Sequence, residues 1–258
     1  MNYNLSLNPI HYASVSGGKD SFYMLNLILH NPTKYPLDMV VHFELEIDWI
    51  WSKKVIDLME ERCVKAGIRF VRIKPRRSWK ELYEKYDIPT RTCRWCNSEY
   101  KLDCKKQLNE WITSQNCRPV AYIGFCADEQ KRFKYDIGNW ENQDVCYPLA
   151  EEGITETDVL KWAKGVEIFN GWYKIFNRQG CMICPCLSRL EMAYLLKYYH
   201  AEYDDWINKI KKYENKYNTY FYDKPIEEIN KVISTKWTNT LNSLESYEQM
   251  SIFDMISE

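Results

Sequence analysis

The chain has 258 residues and a mass of 31.1 kDa, enough for one large domain or a domain with an appendage, and able to bury about 75% of its unfolded surface. With 45% hydrophobic and 28% charged residues, 9 glycines and 9 prolines, it falls outside the collagen-like, low-complexity and wholly disordered classes. A net charge of −1 provides no global attraction to nucleic acid, so any such binding has to rest on a local basic patch.

Residues 11–15 form a short apolar run that ends in Ser-Gly-Gly, and Phe22, Met24, Leu25, Ile28 and Leu29 follow at near-helical spacing. That pattern predicts strand, tight turn, helix. Asn31-Pro32 stops the helix, residues 38–43 (DMVVHF) are rich in β formers, and residues 49–66 carry a second helical pattern before Gly67. Residues 68–73 are a third strand candidate, 78–86 a short helix opened by a serine cap, and 99–113 another helix leading to a strand at 120–124. Repeated β-then-α units predict a parallel twisted sheet with helices on both faces, an α/β fold of Rossmann-like type. The pattern is irregular after Gly124 until Thr155 and Asp158, which form a capping-box variant ahead of Val159, Leu160 and Trp162. From Ser188 onward the chain reads as helical, which predicts a C-terminal helical appendage. The expected domains are 1–165 for the α/β part, 166–236 for a cysteine-containing helical part, and 237–258 for a weakly ordered, Asn-, Ser-, Thr- and Glu-rich tail.

No apolar run approaches the roughly 20 residues a spanning helix needs, and the opening MNYNLSLNPIHYASV lacks the regions of a signal peptide. A cytoplasmic protein with no membrane partner is expected. Ten cysteines in that compartment point to metal or redox chemistry rather than to a disulfide framework.

Ser16-Gly17-Gly18-Lys19-Asp20-Ser21 stands where the first strand meets the first helix. Two glycines let the chain turn sharply and bring successive N–H groups toward an anion, the helix dipole adds partial positive charge, and Lys19 supplies a full one. A phosphate fits such a turn, although SGG alone reads equally well as a serine-capped bend. The spacing is not GxxxxGK[ST], so the motif does not support an ordinary P-loop NTPase.

SGGKDS after the first strand, RTCRWCNSEYKL at 91–102, YIGFCADEQKR at 122–132, YPLAEEGITETDVLKW at 147–162 and GCMICPCLSR at 180–189 occur in this order. Together they resemble the PP-loop adenine nucleotide alpha hydrolases, and in particular the phosphoadenylyl sulfate (PAPS) reductase-like branch found in phage and bacterial genomes. The resemblance covers roughly residues 9 to 215. It implies an adenine nucleotide, ATP or a relative, bound across the strand ends with its phosphates at Ser16, Gly17, Gly18, Lys19, Asp20 and Ser21, and Gly124 close by. Asp128, Glu129 and Arg132 would line the site and act with Lys19 and Asp20. Carboxylates can hold Mg²⁺ against phosphate oxygens, and Lys19 with Arg132 can neutralise a departing pyrophosphate. Relatives often carry an aspartate after the second strand, where this chain has His42-Phe43-Glu44, so Phe43 and Glu44 stand at the expected adenosine side without that contact.

Cys93 and Cys96 make one C-x-x-C pair and Cys181 and Cys184 another, with Cys186 as a substitute two residues on. Four thiolates suit tetrahedral Zn²⁺ or a [4Fe–4S] cluster, and the spacing alone does not separate them from free thiols. Arg91, Arg94 and Arg189 are expected to favour thiolate there. A metal held by both pairs would tie the nucleotide domain to the appendage. Cys63, Cys104, Cys117, Cys126 and Cys146 read as small core residues, with Cys126 a candidate site residue. Reductases of phosphoadenylyl sulfate use a C-terminal cysteine nucleophile, and no cysteine follows Cys186.

Arg69, Arg72, Lys74, Arg76, Arg77 and Lys80, with Trp79 among them, are a candidate phosphate-backbone contact or a solvated surface. Lys131, Arg132 and Lys134 could extend such a patch. Gln249, Met250, Ser251, Ile252 and Phe253 resemble the peptide by which bacterial and phage proteins bind the DNA sliding clamp. The leading expectation is an enzyme that cleaves ATP between the α and β phosphates and supports sulfur transfer to an acceptor, DNA or RNA, from a sulfur-donor protein. Two alternatives stand beside it: a reductase of adenylyl sulfate compounds, and a DNA-associated nucleotide-binding module without turnover.

Overall fold

The structure, a computed structural model, describes residues 7–134, 144–169, 171–176, 178 and 180–246; the clamp-like peptide at 249–253 lies outside them. Five strands, β1 (Asn8–Val15), β2 (Met39–Phe43), β3 (Arg69–Ile73), β4 (Cys117–Tyr122) and β5 (Val145–Cys146), form one parallel sheet in the order β3-β2-β1-β4-β5. The helices are α1 (Lys19–His30), α2 (Ile50–Lys65), α3 (Trp79–Tyr86), α4 (Leu102–Ser114), α5 (Pro148–Glu151), α6 (Glu156–Ala163), α7 (Trp172–Ile175), α8 (Arg189–Tyr198), α9 (His200–Tyr217), α10 (Ile226–Val232) and α11 (Thr238–Ser246). The expected α/β fold with a C-terminal helical extension is what the chain adopts.

The central strands are buried on both sides, which is why Tyr12, Ala13, Met39, Val40, Val41, Val120, Ala121 and Tyr122 read as continuous apolar runs rather than as alternation. On one face Leu108 and Ile112 of α4 pack with Tyr12, Met39, Val41 and Ala121. Phe22, Met24, Leu25 and Ile28 form the buried stripe of α1. Each such side chain contributes about 1.5–3 kcal/mol on removal from water. Cys63, Cys104, Cys126 and Cys146 are buried as expected of core residues, and burial pushes the thiols of Cys63, Cys104 and Cys146 up to about 12; Cys117 is only partly covered.

The contact pattern divides the chain otherwise than at 165/166. One compact unit comprises Met1–Arg76 and Lys101–Phe169, and the other Arg77–Tyr100 and Asn170–Glu258. The segment carrying Cys93 and Cys96 therefore groups with the C-terminal helices, and both C-x-x-C pairs belong to the second unit. Within it, Ser78 and Ser188 cap α3 and α8 through reciprocal bonds with Glu81 and Glu191. Trp79 packs on Trp95 with ring centroids 4.7 Å apart, and a π-helical turn at Cys96–Lys101 precedes α4. Residues 238–246, expected as part of a weakly ordered tail, are helical because Leu241 is fully buried and Glu245 accepts hydrogen bonds from Lys197 and from Tyr198 (2.6 Å). Composition missed this helix because a single buried leucine anchors it.

Asp48, in the turn after β2, accepts from the Leu45 N–H at 3.1 Å, and burial pushes its carboxyl up to about 6. An unfolded aspartate titrates near 3.9, so between about pH 4 and 6 the folded chain holds the extra proton. That contribution is lost as pH rises through 6, where a buried charge replaces the neutral acid. Asp48→Asn should therefore raise stability by about 1–2 kcal/mol at pH 7 and leave it unchanged at pH 4. Urea unfolding at the two pH values measures this, and an equal gain at both would contradict it.

Candidate functional site at the strand ends

The chain leaves β1 toward β2 on one side, and β4 lies on the other, so the loops following β1 and β4 open at the point where strand order reverses. Crevices at such switch points, outside the carboxyl ends of the strands, are where open parallel sheets place ligands. The Ser16–Ser21 turn and Gly124 both stand there. Gly17 has a φ of +77°, a conformation that glycine adopts without a Cβ penalty. Ser21 Oγ donates to Gly18 O (3.0 Å) and accepts from Ser16 N (3.2 Å), which locks the turn. Gly18 is the N-cap of α1 and no side chain caps it. At a helix start of this kind backbone amides and the helix dipole favour an anion.

Lys19 is 2% exposed, and its Nζ lies 2.7 Å from Asp20 Oδ1 and 3.5 Å from Glu156 Oε1. Gly124 comes so close to the first turn of α1 that a Cβ there would lie 3.0 Å from Asp20 O and 3.1 Å from Asp20 C. Beyond it, the Cys126 thiol, fully buried, donates to Asp20 Oδ1 at 3.7 Å, and burial pushes that thiol far above its ordinary range. Ala127 N–H donates to Ile154 O (2.8 Å), and Asp128 Oδ1 accepts from Glu156 N (3.0 Å), so the loop after β4 is tied to the start of α6.

α6 is placed by its other end. Thr155 and Asp158 make the expected capping box, and Trp162 meets Phe22 and Tyr23 of α1 edge-on at 5.7 and 4.9 Å, with Phe169 closing the cluster. Aromatic burial on one face of the helix thereby carries Glu156 to Lys19. The spacing of residues 147–162 marked a helix start but held no sign that Glu156 comes to Lys19 of the Ser16–Ser21 turn, which is a tertiary fact.

The structure brings Lys19, Asp20, Gly124 and Asp128 into one connected group, with Cys126 and Glu156 between them. Glu129 belongs to the same loop: its carboxylate accepts from Cys126 N (3.1 Å) and pairs with Arg132, whose guanidinium lies 3.8 Å from the Phe125 ring centre. Asp128 and Glu129 thus brace the loop with the same oxygens expected to face Mg²⁺. Phe43 packs against the core of the sheet, and Glu44 pairs with Lys74 at 3.7 Å. His42, beside them, is buried with Nδ1 3.1 Å from Val15 O, and burial lowers its pKa.

The basic stretch at 69–80 is locally neutralised. Arg72 pairs with Asp57 and Glu60, Lys74 with Glu44, Arg76 with Asp103 and Glu110, Arg77 with Glu99, and Lys80 with Glu84, while Arg69 lies over the Trp111 ring. Charges held this way read as a paired surface and not as an open phosphate strip.

In the second unit, Cys96 and Cys184 lie within each other's electrostatic reach, Cys184 Sγ accepts from Cys186 N (3.4 Å), and Cys93 is exposed. Burial pushes both Cys96 and Cys184 thiols up, outweighing the opposing charges of Arg94 at Cys96 and Arg178 at Cys184; thiolate is not favoured as expected. Arg91 and Arg189 are engaged elsewhere: both stack over Tyr222, Arg91 donates to Pro185 O and Arg189 pairs with Asp223. Among the described residues, no three His, Cys, Asp or Glu side chains gather closely enough to hold one metal ion. The side chains as placed do not fit a four-ligand zinc or iron–sulfur centre, nor a carboxylate cage for Mg²⁺. Among the same residues no helix is long and apolar enough to cross a membrane.

No protein-family model matches the chain. Two uncharacterised proteins of Methanocaldococcus jannaschii are similar to it. MJ0973 is 29% identical over 215 residues, covering 82% of this chain and 49% of its own, and MJ0066 is 25% identical over 215 residues, covering 79% and 42%. The chain therefore spans about half the length of these relatives. Among solved structures it resembles the U34-tRNA thiolase NcsA of Methanococcus maripaludis, which was solved with its [4Fe–4S] cluster, at 16% identity and a TM-score of 0.42 over 90% of this chain and 74% of that one.

Proposed function

We propose that the chain is a PP-loop enzyme of the adenine nucleotide alpha hydrolase type, which cleaves ATP between the α and β phosphates and activates an acceptor for sulfur transfer. One observation carries this reading: a buried lysine ammonium and an uncapped helix N-terminus converge at the switch point of a parallel sheet, with Gly124 bare of side chain against the same turn. The amides of the first turn of α1 bind the polyphosphate, and Lys19 neutralises charge on it. Arg132, held over Phe125 on the loop after β4 and paired with Glu129, is the second cation in this reading.

In the reaction an acceptor oxygen attacks the α-phosphorus, the bond to the bridging oxygen breaks, and pyrophosphate leaves with that electron pair. A sulfur nucleophile from the donor protein then attacks the carbon that bears the adenylated oxygen, the C–O bond breaks, and AMP leaves carrying that oxygen and the electron pair. The loop carboxylates of Asp128 and Glu129 are engaged with backbone amides or Arg132, so no step is routed through Mg²⁺. The five cysteines of the second unit have no assigned part in these steps. Nucleic acid is the acceptor class in this reading, and a sulfur-donor protein its partner.

The test is a pyrophosphate-release assay with ATP and Mg²⁺, run alone and with single-stranded DNA or with transfer RNA. Pyrophosphate released faster with one nucleic acid is expected, with AMP in equal amount once sulfide is added as the sulfur nucleophile. ADP and phosphate as products, or binding of ATP with no cleavage under every condition, would overturn the reading.

A further inference from the structure

Lys19 sits between two carboxylates of unequal hold. Asp20 Oδ1 is 2.7 Å away on the same helical turn, whereas Glu156 Oε1 is 3.5 Å away on α6. Lys19 is 2% exposed, but the Glu156 side chain is 54% exposed. The longer and wetter contact is the one that a stronger anion can replace at small cost, because a released Glu156 turns into water while Asp20 stays at the turn. Glu156 is also fixed in place without Lys19: its N–H donates to Asp128, and α6 is capped by Thr155 and packed on α1 through Trp162. Its backbone is thus held beside the ammonium by the fold, while its carboxylate stays free to turn away.

We propose that Glu156 is a positioning residue that acts as a stand-in for phosphate: it shares the Lys19 ammonium with Asp20 until the polyphosphate of a nucleotide displaces it. This rests on the phosphate-loop reading above and adds to it a competing anion built into the chain. Such a competitor weakens binding of anything that carries a polyphosphate and leaves a bare nucleoside unaffected. It also keeps the buried ammonium paired and aimed while the site is empty.

Calorimetric titration of the full chain with ATP, with inorganic triphosphate and with adenosine tests the proposal, using Glu156→Gln and Glu156→Ala beside the unaltered protein. Removal of an exposed competing charge is expected to tighten ATP and triphosphate binding by about three- to tenfold in both variants. Adenosine binding should not change. Far-UV circular dichroism checks that α6 is retained, and because the side chain is half exposed neither variant threatens folding. Unchanged or weaker triphosphate binding in both variants would overturn the proposal, as would equal tightening for adenosine. If the unaltered protein binds neither ATP nor triphosphate, the phosphate-loop reading itself falls; if it binds both and the variants match it, only the role of Glu156 falls.

Discussion

Lys19→Met is expected to lower the rate of pyrophosphate release by about 10²–10³-fold while the protein stays folded. Methionine keeps most of the side-chain volume, so the 2% exposed position loses its charge without a large cavity. What disappears, under the proposed function, is the ammonium that would neutralise charge developing on the departing pyrophosphate, at a buried position where low dielectric strengthens the interaction. Asp20 loses its nearest cation, but at 36% side-chain exposure it can turn to water. A single-turnover assay at saturating ATP reads the effect, with thermal unfolding as the control for folding. A variant that retains a tenth or more of the rate would show that Lys19 is a structural cation.

Gly124→Val is the second large effect, and it works through backbone rather than charge. Any Cβ at this position meets Asp20 O at 3.0 Å, Asp20 C at 3.1 Å and Ser21 N at 3.3 Å. These are main-chain atoms in the first turn of α1 and have no rotamer in which to escape. Either the strand end or the helix start must shift, at about 1–3 kcal/mol, and valine adds two methyl groups to the clash. The shift moves the amides proposed to bind the polyphosphate, so ATP affinity should fall by more than about tenfold. Gly180→Ala is the matched control: nothing lies within 4 Å of its Cβ position, and a change within about 0.5 kcal/mol is expected. Equal stability and equal ATP affinity for both variants would mean that the loop after β4 is free of the phosphate turn.

Gly124 was picked out by the family resemblance, whereas Lys19 was legible in its local sequence, for a local reason. A parallel strand buried on two faces must be an apolar run, and a strand that turns at once into a helix needs glycine where φ is positive. Tyr12 to Val15 followed by Gly17 and Gly18 carries both requirements within a few residues. Helix starts were equally legible at Ser78, Thr155 and Ser188, because a capping box is a contact between residues three apart.

Charge and thiol chemistry were legible only as composition. Six basic residues at 69–80 read as a patch, yet the structure supplies Asp57, Glu60, Asp103 and Glu110 from neighbouring helices to Arg72 and Arg76. The arginines near Cys96 and Cys184 promised thiolates, but burial outweighs them. In each case the deciding quantity is the surroundings of a charged group, which residues distant in sequence provide.

By itself the sequence determined the order of β1 to β4 and the helices between them, the glycine turn, the capped helix starts and the apolar stripes, since all of these follow from contacts a few residues long; β5 and α11 it did not mark. Tertiary structure alone decided the β3-β2-β1-β4-β5 order, the approach of Gly124 to Asp20, the arrival of Glu156 at Lys19, and the grouping of residues 77–100 with the C-terminal helices. These depend on which buried faces meet, and Glu156 lies 137 residues from Lys19. No local propensity spans that distance; the packing of Trp162 on Phe22 and Tyr23 does.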